Sequence, residues 1–240
     1  MTFLAIVMVC YNEAPHLDVV LDSVLTQDFA DFRLIFVDNG STDGSGELPG
    51  RRGDRRILPI HTSANRAHGW AVNTGVELAC MAWSQQPEWV LVHNADDLML
   101  PGYLRRIHEV SEERPEANCI FSPWSWIQGT RTEKSFPPYD ASSICDVHQI
   151  PGLRAVRRDF WFALGGEDEQ IYCGSDWDWA VRASLTGTFV PYQLERPYIA
   201  LRERGSDRRA LSDHLDWPRL NAHMKRHTRD RSARWQESAA

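Results

Sequence analysis

Three stretches of this 240-residue sequence place hydrogen-bonding and carboxylate side chains directly after short apolar runs. They are Tyr11-Asn12-Glu13, Asp38-Asn39-Gly40-Ser41-Thr42-Asp43 and Asn94-Ala95-Asp96-Asp97. Amide and carboxylate oxygens accept hydrogen bonds, and carboxylates also suit hard cations. Taken singly, each stretch has a plainer role. Asn12 and Asp38 suit helix caps or turns, and Asp96-Asp97 ahead of Pro101 suit a helix start, where the dipole favours negative charge. Three such stretches on one edge carry more, because ligands of an open parallel sheet gather beyond the carboxyl ends of its strands.

The elements that must position them follow from the hydrophobic pattern. Phe3–Val9 is a continuous apolar run, the mark of a strand covered on both faces. Pro15 opens a helical pattern carried by Leu17, Val20, Leu21, Val24 and Leu25. Leu34–Val37 is a second buried strand, Ile57–Ile60 a third whose Pro59 marks an edge or an early end, and Trp89–His93 a fourth. Helices are expected over Trp70–Trp83 and from Pro101 to about Val110. This alternation argues for βαβ units and a parallel sheet, an α/β fold. Beyond Ile120 the prolines at 123, 137 and 138 mark an irregular or antiparallel region, and helical periodicity returns at Arg157–Leu164 and Asp176–Leu185.

Composition narrows the class. Hydrophobic residues at 42% and charged residues at 25% fit a globular chain and exclude collagen or wholesale disorder. The apolar run Phe3 to Cys10 is far short of the ~20 residues a membrane-spanning helix needs. With no basic segment ahead of it, no secretory leader is expected. Five cysteines, never spaced CxxC, argue against a disulfide framework or a zinc site and favour a reducing cytoplasm. The net charge of −7 disfavours nucleic acid as the main partner. The last forty residues differ, holding ten basic and six acidic groups.

The order of the motifs resembles family 2 glycosyltransferases of the GT-A fold. The resemblance is carried by Val9-Cys10-Tyr11-Asn12-Glu13, Ser23-Val24-Leu25-Thr26-Gln27 and Val37 through Ser45. It continues through Asn65 to Asn73-Thr74-Gly75, the DxD-like Asn94-Ala95-Asp96, Leu164 through Glu169, and Ser175-Asp176-Trp177-Asp178-Trp179 with Arg182. It implies a Rossmann-like, mostly parallel sheet flanked by helices. Residues 1–205 would form one domain, with a nucleotide-sugar half (1–100) and an acceptor-side half (101–205), followed by a basic, partly helical extension (206–240).

The implied activity is inverting transfer of a sugar from a nucleotide-diphosphate donor, UDP- or dTDP-linked, to a sugar, lipid-linked or other hydroxyl acceptor. The setting would be bacterial polysaccharide, glycolipid or glycoconjugate synthesis. Tyr11, Asn12 and Glu13 would line the nucleoside pocket, mainly through the backbone, and Asp38 would accept a hydrogen bond from the base. Asn65 and Arg66 would lie near base or diphosphate, with Asn94, Ala95 and Asp96 also on the donor. Asp96 would hold Mg²⁺ or Mn²⁺, and Asp176 would be the general base.

The sequence departs from the family pattern at Asn94, an amide where the first acid of DxD is expected, and at Ser175, where the residue before the base is usually acidic. A histidine metal ligand is also missing from its usual place, leaving Glu203 or His214 as candidates. A catalytically degenerate homologue that only binds a nucleotide sugar is therefore the alternative. A nucleotidyltransferase or dinucleotide-binding enzyme lacks support, since no G-x-G-x-x-G follows the first strand.

Ser175 and Asp178 fit the S-x-x-D form related to a capping box. His68 and His93 adjoin the motifs and could touch substrate, whereas most other histidines are expected to face solvent. Trp124, Trp126, Trp177 and Trp179 could stack on sugars or fill the core. In the tail, Trp217, Leu220 and Met224 lie beside Arg219, Lys225 and Arg226. That pattern suits either a helix on anionic lipid at the inner face of the membrane or one packed on the domain.

Overall fold

The structure, a computed structural model, describes residues 3–126, 138–171 and 174–201, together with positions 226 and 230, both helical. Its first half runs β1 (Leu4–Cys10), α1 (Ala14–Leu25), β2 (Phe32–Asp38), α2 (Leu48–Arg51), β3 (Ile57–His61), α3 (His68–Met81) and β4 (Trp89–Asn94). The second half runs β5 (Leu98–Met99), α4 (Tyr103–Glu113), β6 (Cys119–Phe121), β7 (Trp124–Trp126), β8 (Arg154–Arg157), α5 (Arg158–Leu164), α6 (Ser175–Leu185), β9 (Pro191–Gln193) and β10 (Ile199–Leu201).

Seven strands form one sheet in the order β3-β2-β1-β4-β8-β6-β9, and β5-β10-β7 form a small second sheet. β1 pairs in parallel with β2 and with β4, so Leu4 lies beside both Phe32 and Trp89. β3, with its Pro59, sits at the edge as expected of a strand that lacks a ladder donor. The antiparallel expectation past residue 120 is met by β8, which runs against both β4 and β6. β9 and β10 instead pair in parallel with β6 and β7.

The apolar run of β1 is buried on both faces. Leu4, Ile6 and Met8 join Leu17, Val20, Leu21 and Val24 of α1 and Leu104 and Ile107 of α4 in one core. Ala5, Val7 and Val9 join Ala71, Val72 and Val76 of α3 and Trp179 and Ala180 of α6 in the other. A strand's side chains alternate between its faces, so one strand serves both layers. α3 lies close on the sheet because Gly75 permits it: a Cβ there would stand 2.3 Å from Val7 Cγ1. α3 follows the parallel strand β3, so its N-terminus lies toward the carboxyl ends of the strands.

Several boundaries differ from the hydrophobic pattern. α3 starts at His68 rather than Trp70, since Ala67 (φ −54°, ψ 141°) is extended and ends the preceding loop. β2 reaches back to Phe32 and on to Asp38, because backbone pairing with β1 continues after the apolar residues end.

Candidate active site

The carboxyl end of β1 is built jointly with the loop after β2. Asn12 takes a left-handed conformation (φ 56°), which asparagine tolerates better than most residues. Its Oδ1 accepts the Thr42 N–H at 2.8 Å, while its own N–H donates to Ser41 Oγ at 2.9 Å. Glu13 N–H donates to Ser45 Oγ and Ala14 N–H to Asp43 Oδ2. The start of α1 is thus capped from another loop. Burial opposes the charge on Asp43, yet hydrogen bonds from Ser45 and the Ala14 N–H outweigh it and hold this carboxyl below its usual range. The N–H groups of Asn12 and Glu13 are therefore taken by protein partners. What this turn leaves toward solvent is Tyr11, 37% exposed.

Asp38 is buried, with Oδ1 accepting the Ser41 N–H at 3.0 Å and Oδ2 lying 3.3 Å from His61 Nδ1. Its neighbour Asn39, to which the sequence reading gave no role, ties the two donor-side loops together. Asn39 Nδ2 donates to Asn65 Oδ1 (2.9 Å) and to the Arg66 carbonyl (2.8 Å), and Asn39 Oδ1 accepts the Arg66 N–H (3.1 Å). The Arg66 guanidinium lies over the Trp70 ring at 4.3 Å. Asn39, next to Asp38, therefore brings Asn65 and Arg66 to the end of β2.

At the end of β4, Asn94 Nδ2 donates to Asp97 Oδ2 at 3.0 Å. Asp96 and Asp97 are both buried, and the Ala95 N–H is held by the Val9 carbonyl. His93, expected as a substrate contact, points into the protein. It is fully buried, its Nδ1–H donates to the Asn94 carbonyl at 2.7 Å, and burial depresses its pKa to about 4.

The acceptor side centres on the N-terminus of α6. Asp176 Oδ1 accepts the Trp177 N–H at 2.9 Å, while Oδ2 lies 3.5 Å from His148 Nε2. The carboxylate is 26% exposed. The anticipated capping box does not form. The cap is Gly174, Ser175 is already helical and its hydroxyl donates to Glu167 Oε2 at 2.8 Å, and buried Asp178 pairs with Arg182 at 2.8 Å. Arg182 in turn donates to the carbonyls of Leu164 and Gly166, so Asp178 is structural by a different route.

Behind Ser175 lies a fully buried ion pair, Glu167 with Arg154 of β8 at 2.8 Å. Arg154 also lies 4.1 Å over the Trp179 ring. Burial opposes ionisation of Glu167, but His68, Arg154 and Ser175 outweigh it and hold its pKa well below the usual carboxylate range. Asn73 clamps the same loop, donating to the Glu167 carbonyl and accepting its N–H. Trp177 and Trp179 are buried, so they fill the core rather than offer faces to sugars. His148 stacks on Trp177 beside Asp176, and His108 packs against Phe3 and Phe29, so neither simply faces solvent.

His68, the first residue of α3, faces Glu167. Its Nδ1 lies 3.8 Å from Glu167 Oε2. Burial disfavours its charged form, but hydrogen bonding to Glu167 and Asn94, with the charges of Glu167 and Asp176, raises its pKa overall. A Cβ at the next residue, Gly69, would lie 3.2 Å from Glu167 Cβ and 3.4 Å from Ser175 Cβ, so the start of α3 meets the start of α6.

For a divalent cation, Asp96 is the carboxylate at the position expected, and Asn94 has its amide engaged elsewhere. Among the described residues no group of three or more His, Cys, Asp or Glu could hold an ion. That donor set suits Mg²⁺, which uses one or two carboxylates and takes its remaining ligands from substrate phosphates and water. Glu203 and His214, the candidates for completing such a site, lie outside the described residues, as do the tail positions 217–225.

Comparison with known proteins agrees with the geometry. Residues 5–160 match the family described as "Glycosyl transferase family 2". An uncharacterized glycosyltransferase of Haemophilus influenzae is 22% identical over 207 residues, 81% of this chain and 66% of the relative. An N-acetylglucosaminyl-diphospho-decaprenol L-rhamnosyltransferase of Mycobacterium tuberculosis is 33% identical over 123 residues, 49% of this chain and 39% of the relative. The chain thus spans less than two thirds of the length of either.

Among solved structures, S. aureus TarS 1-349 in complex with UDP-GlcNAc superposes with a TM-score of 0.71 at 16% identity, covering 85% of this chain and 59% of that one. The mannosyltransferase PcManGT of Pyrobaculum calidifontis, in complex with GDP-Man and Mn²⁺, gives 0.57 at 19% identity over 83% and 56%. With its mostly parallel sheet and its motifs in order along that sheet's rim, the chain belongs to glycosyl transferase family 2 and has the GT-A fold.

Proposed function

We propose that this chain transfers a sugar, with inversion, from a nucleotide-diphosphate donor to an acceptor hydroxyl, with Asp176 as the general base. The observation that carries this reading is the meeting of the two sides: the Asn65–Arg66 loop, tied to the end of β2 through Asn39, runs into α3, whose Gly69 packs against Glu167 and Ser175 beside the partly exposed Asp176 carboxylate. A carboxylate so placed can take the acceptor proton as the hydroxyl oxygen bonds the anomeric carbon and the diphosphate leaves with its electron pair. Tyr11, Asp38, Asn65 and Arg66 would hold the nucleoside and diphosphate.

Asp96 would hold Mg²⁺ or Mn²⁺, which when bound counters the charge of the departing diphosphate. The UDP-GlcNAc bound to one structural neighbour, and the GDP-Man and Mn²⁺ bound to the other, support a nucleotide sugar and a metal. The diphospho-decaprenol in the rhamnosyltransferase's name supports a lipid-linked acceptor in glycoconjugate synthesis.

Thermal-shift screening against nucleotide sugars, with and without Mn²⁺, tests donor binding, since a ligand that binds only the folded state raises Tm. Asp176→Asn is expected to lower turnover about 100- to 10,000-fold while donor binding persists. Turnover unchanged in Asp176→Asn would refute the assignment. Wild-type protein that binds a donor but never releases nucleotide would instead support the degenerate-homologue reading, which Asn94 and Ser175 favour.

A further inference from the structure

Residues 51–56 read Arg-Arg-Gly-Asp-Arg-Arg, four cations and one acid in a chain whose net charge is −7, and the proposed transfer uses none of them. They join α2 to β3 at the amino ends of the strands, where the Leu34 N–H donates to the Arg56 carbonyl and Arg33 is the second residue of β2. Asp38 closes that same strand, so Arg33 is about 17 Å away from it at about 3.3 Å per residue. Ala30, Arg33, Asp54, Arg55 and Arg56 line a cavity of about 460 Å³ at this end of the sheet.

The charges of the cavity wall do not balance. Asp54, its one acid, is engaged by Arg56: Nη2 donates to Oδ2 at 2.7 Å, Nε to Oδ1 at 3.1 Å, and the Arg56 backbone N–H to Oδ1 at 2.9 Å. Arg56 is fixed further by the Leu25 carbonyl at 3.1 Å and by the Phe32 ring, 4.8 Å from its guanidinium. Arg33 donates to the Phe32 carbonyl at 3.0 Å, a neutral acceptor. Neither Arg33 nor the exposed Arg55 forms an ion pair among the described residues, whereas nearby Arg52 pairs with Asp18 and Asp22. The acids of the loop before β2 are engaged elsewhere, Asp28 with Arg105 and Asp31 with the Phe3 N–H. Three guanidinium groups thus share the wall with one carboxylate, which leaves two positive charges over.

We propose that this cavity binds a phosphate group, as an anion site separate from the donor site. Guanidinium forks match phosphate oxygens with paired hydrogen bonds, and a phosphomonoester carries about −1.5 to −2 charges at neutral pH, enough to offset the excess. A carboxylate brings one charge and two oxygens, which is what Asp54 already supplies. With Arg33 and Arg56 held in place beforehand, less side-chain ordering opposes binding. The phosphate can belong to a lipid headgroup or to a soluble compound. The site takes no part in the transfer and does not depend on that reading.

The test uses the full chain as wild type, Arg33→Gln, Arg55→Gln, both together, the corresponding double lysine variant and, as a donor-side control, Arg66→Gln. Arginine Nε–H NMR signals, assigned by those missing in the single variants, are followed as inorganic phosphate replaces chloride at constant ionic strength. In wild type the Arg33 and Arg55 signals are expected to shift together and saturate at one midpoint. Each single variant raises the midpoint seen by the remaining arginine about 10-fold, through loss of a charge-assisted bond, and Arg66→Gln leaves it in place. Co-sedimentation with vesicles of phosphatidylcholine, alone or mixed with phosphatidic acid, separates the two sources. Binding to the mixed vesicles that drops in both double variants assigns a headgroup, and saturation by phosphate without such a drop assigns a soluble compound. Shifts that never saturate, with vesicle binding equal in wild type and the double glutamine variant, overturn the site. Vesicle binding retained in full by the lysine variant but lost with glutamine, in the absence of saturation, overturns it as well, since it marks a merely basic surface without forks. A midpoint displaced by Arg66→Gln overturns it too, because the anion would then occupy the donor side. If Arg33→Gln fails to fold, Arg55→Gln, at an exposed position, carries the comparison.

Discussion

Arg154→Met is the perturbation that tests most directly how the acceptor side is held. Arg154 and Glu167 are both fully buried, 2.8 Å apart, and Arg154 also donates to the Gly152 carbonyl at 3.0 Å. Removing the guanidinium leaves a carboxylate sealed from water, with the Ser175 hydroxyl and His68 as its remaining partners. Breaking a buried pair by deleting one member costs about 3–5 kcal/mol. At about 2–4 °C per kcal/mol for a chain near this size, Tm should fall by about 6–20 °C.

The double variant Arg154→Met, Glu167→Met behaves differently. Replacing a whole buried pair by apolar groups is neutral or gains about 1–4 kcal/mol, and the Ser175 hydroxyl left without its acceptor costs about 1–3 kcal/mol. The double variant should therefore unfold close to wild type. Urea unfolding followed by circular dichroism, with the slope m unchanged, gives both numbers and the coupling energy of the cycle. A single variant that loses less than about 1 kcal/mol would refute the reasoning, because it would mean that Glu167 is not buried as a charge. A double variant as unstable as the sum of the two singles would refute it too.

The pH dependence of stability has a defined window. Glu167 is depressed on folding, so its contribution is whole above the ordinary glutamate value of 4.5 and is lost as the pH falls through its folded value. His68 is raised, so its contribution is whole below 6.5 and is lost as the pH rises through its folded value. Tm against pH should show both flanks in wild type, and His68→Gln should flatten the alkaline one. Gly75→Ala should destabilise by about 1–3 kcal/mol through overpacking against Val7, read as a lower urea midpoint. Adding Val7→Ala should relieve that clash. Asn39→Ala removes three hydrogen bonds at a buried position and should cost about 1–3 kcal/mol, with donor affinity falling because the Asn65–Arg66 loop loses its anchor. Calorimetric titration with the nucleotide diphosphate checks the second effect.

The fold was legible because its strands and helices are locally self-consistent. Leu4–Cys10 is apolar throughout and buried on both faces, and the spacing of Leu17, Val20, Leu21 and Val24 marks the buried stripe of α1. The polar strand ends also lay where a parallel sheet must gather them. What stayed hidden depends on partners distant in sequence. Nothing near Asn39 announces that it holds residues 65 and 66, and nothing near Asn12 shows that its N–H is spent on Ser41. Ser175 and Asp178 have the spacing of a cap, but Glu167 and Arg182 compete for their side chains more effectively than the helix end does. One signal was available in principle: Arg154 stands between Leu153 and the apolar Ala155-Val156, and a cation buried there requires a buried acid.

The position of β8 bears on how the chain reaches this state. Everything up to Asn94 can assemble as a four-stranded layer, yet one side of β4 is covered only when Arg154–Arg157 arrives, some sixty residues later. On a ribosome adding about 5–20 residues per second, the open margin of Trp89–Leu91 waits about 3–12 s for its neighbour. An apolar strand exposed for that time is a template for intermolecular pairing. Expression yield should therefore be limited by this nascent half-sheet, and truncation before β8 should produce insoluble protein even though every donor-side loop is present.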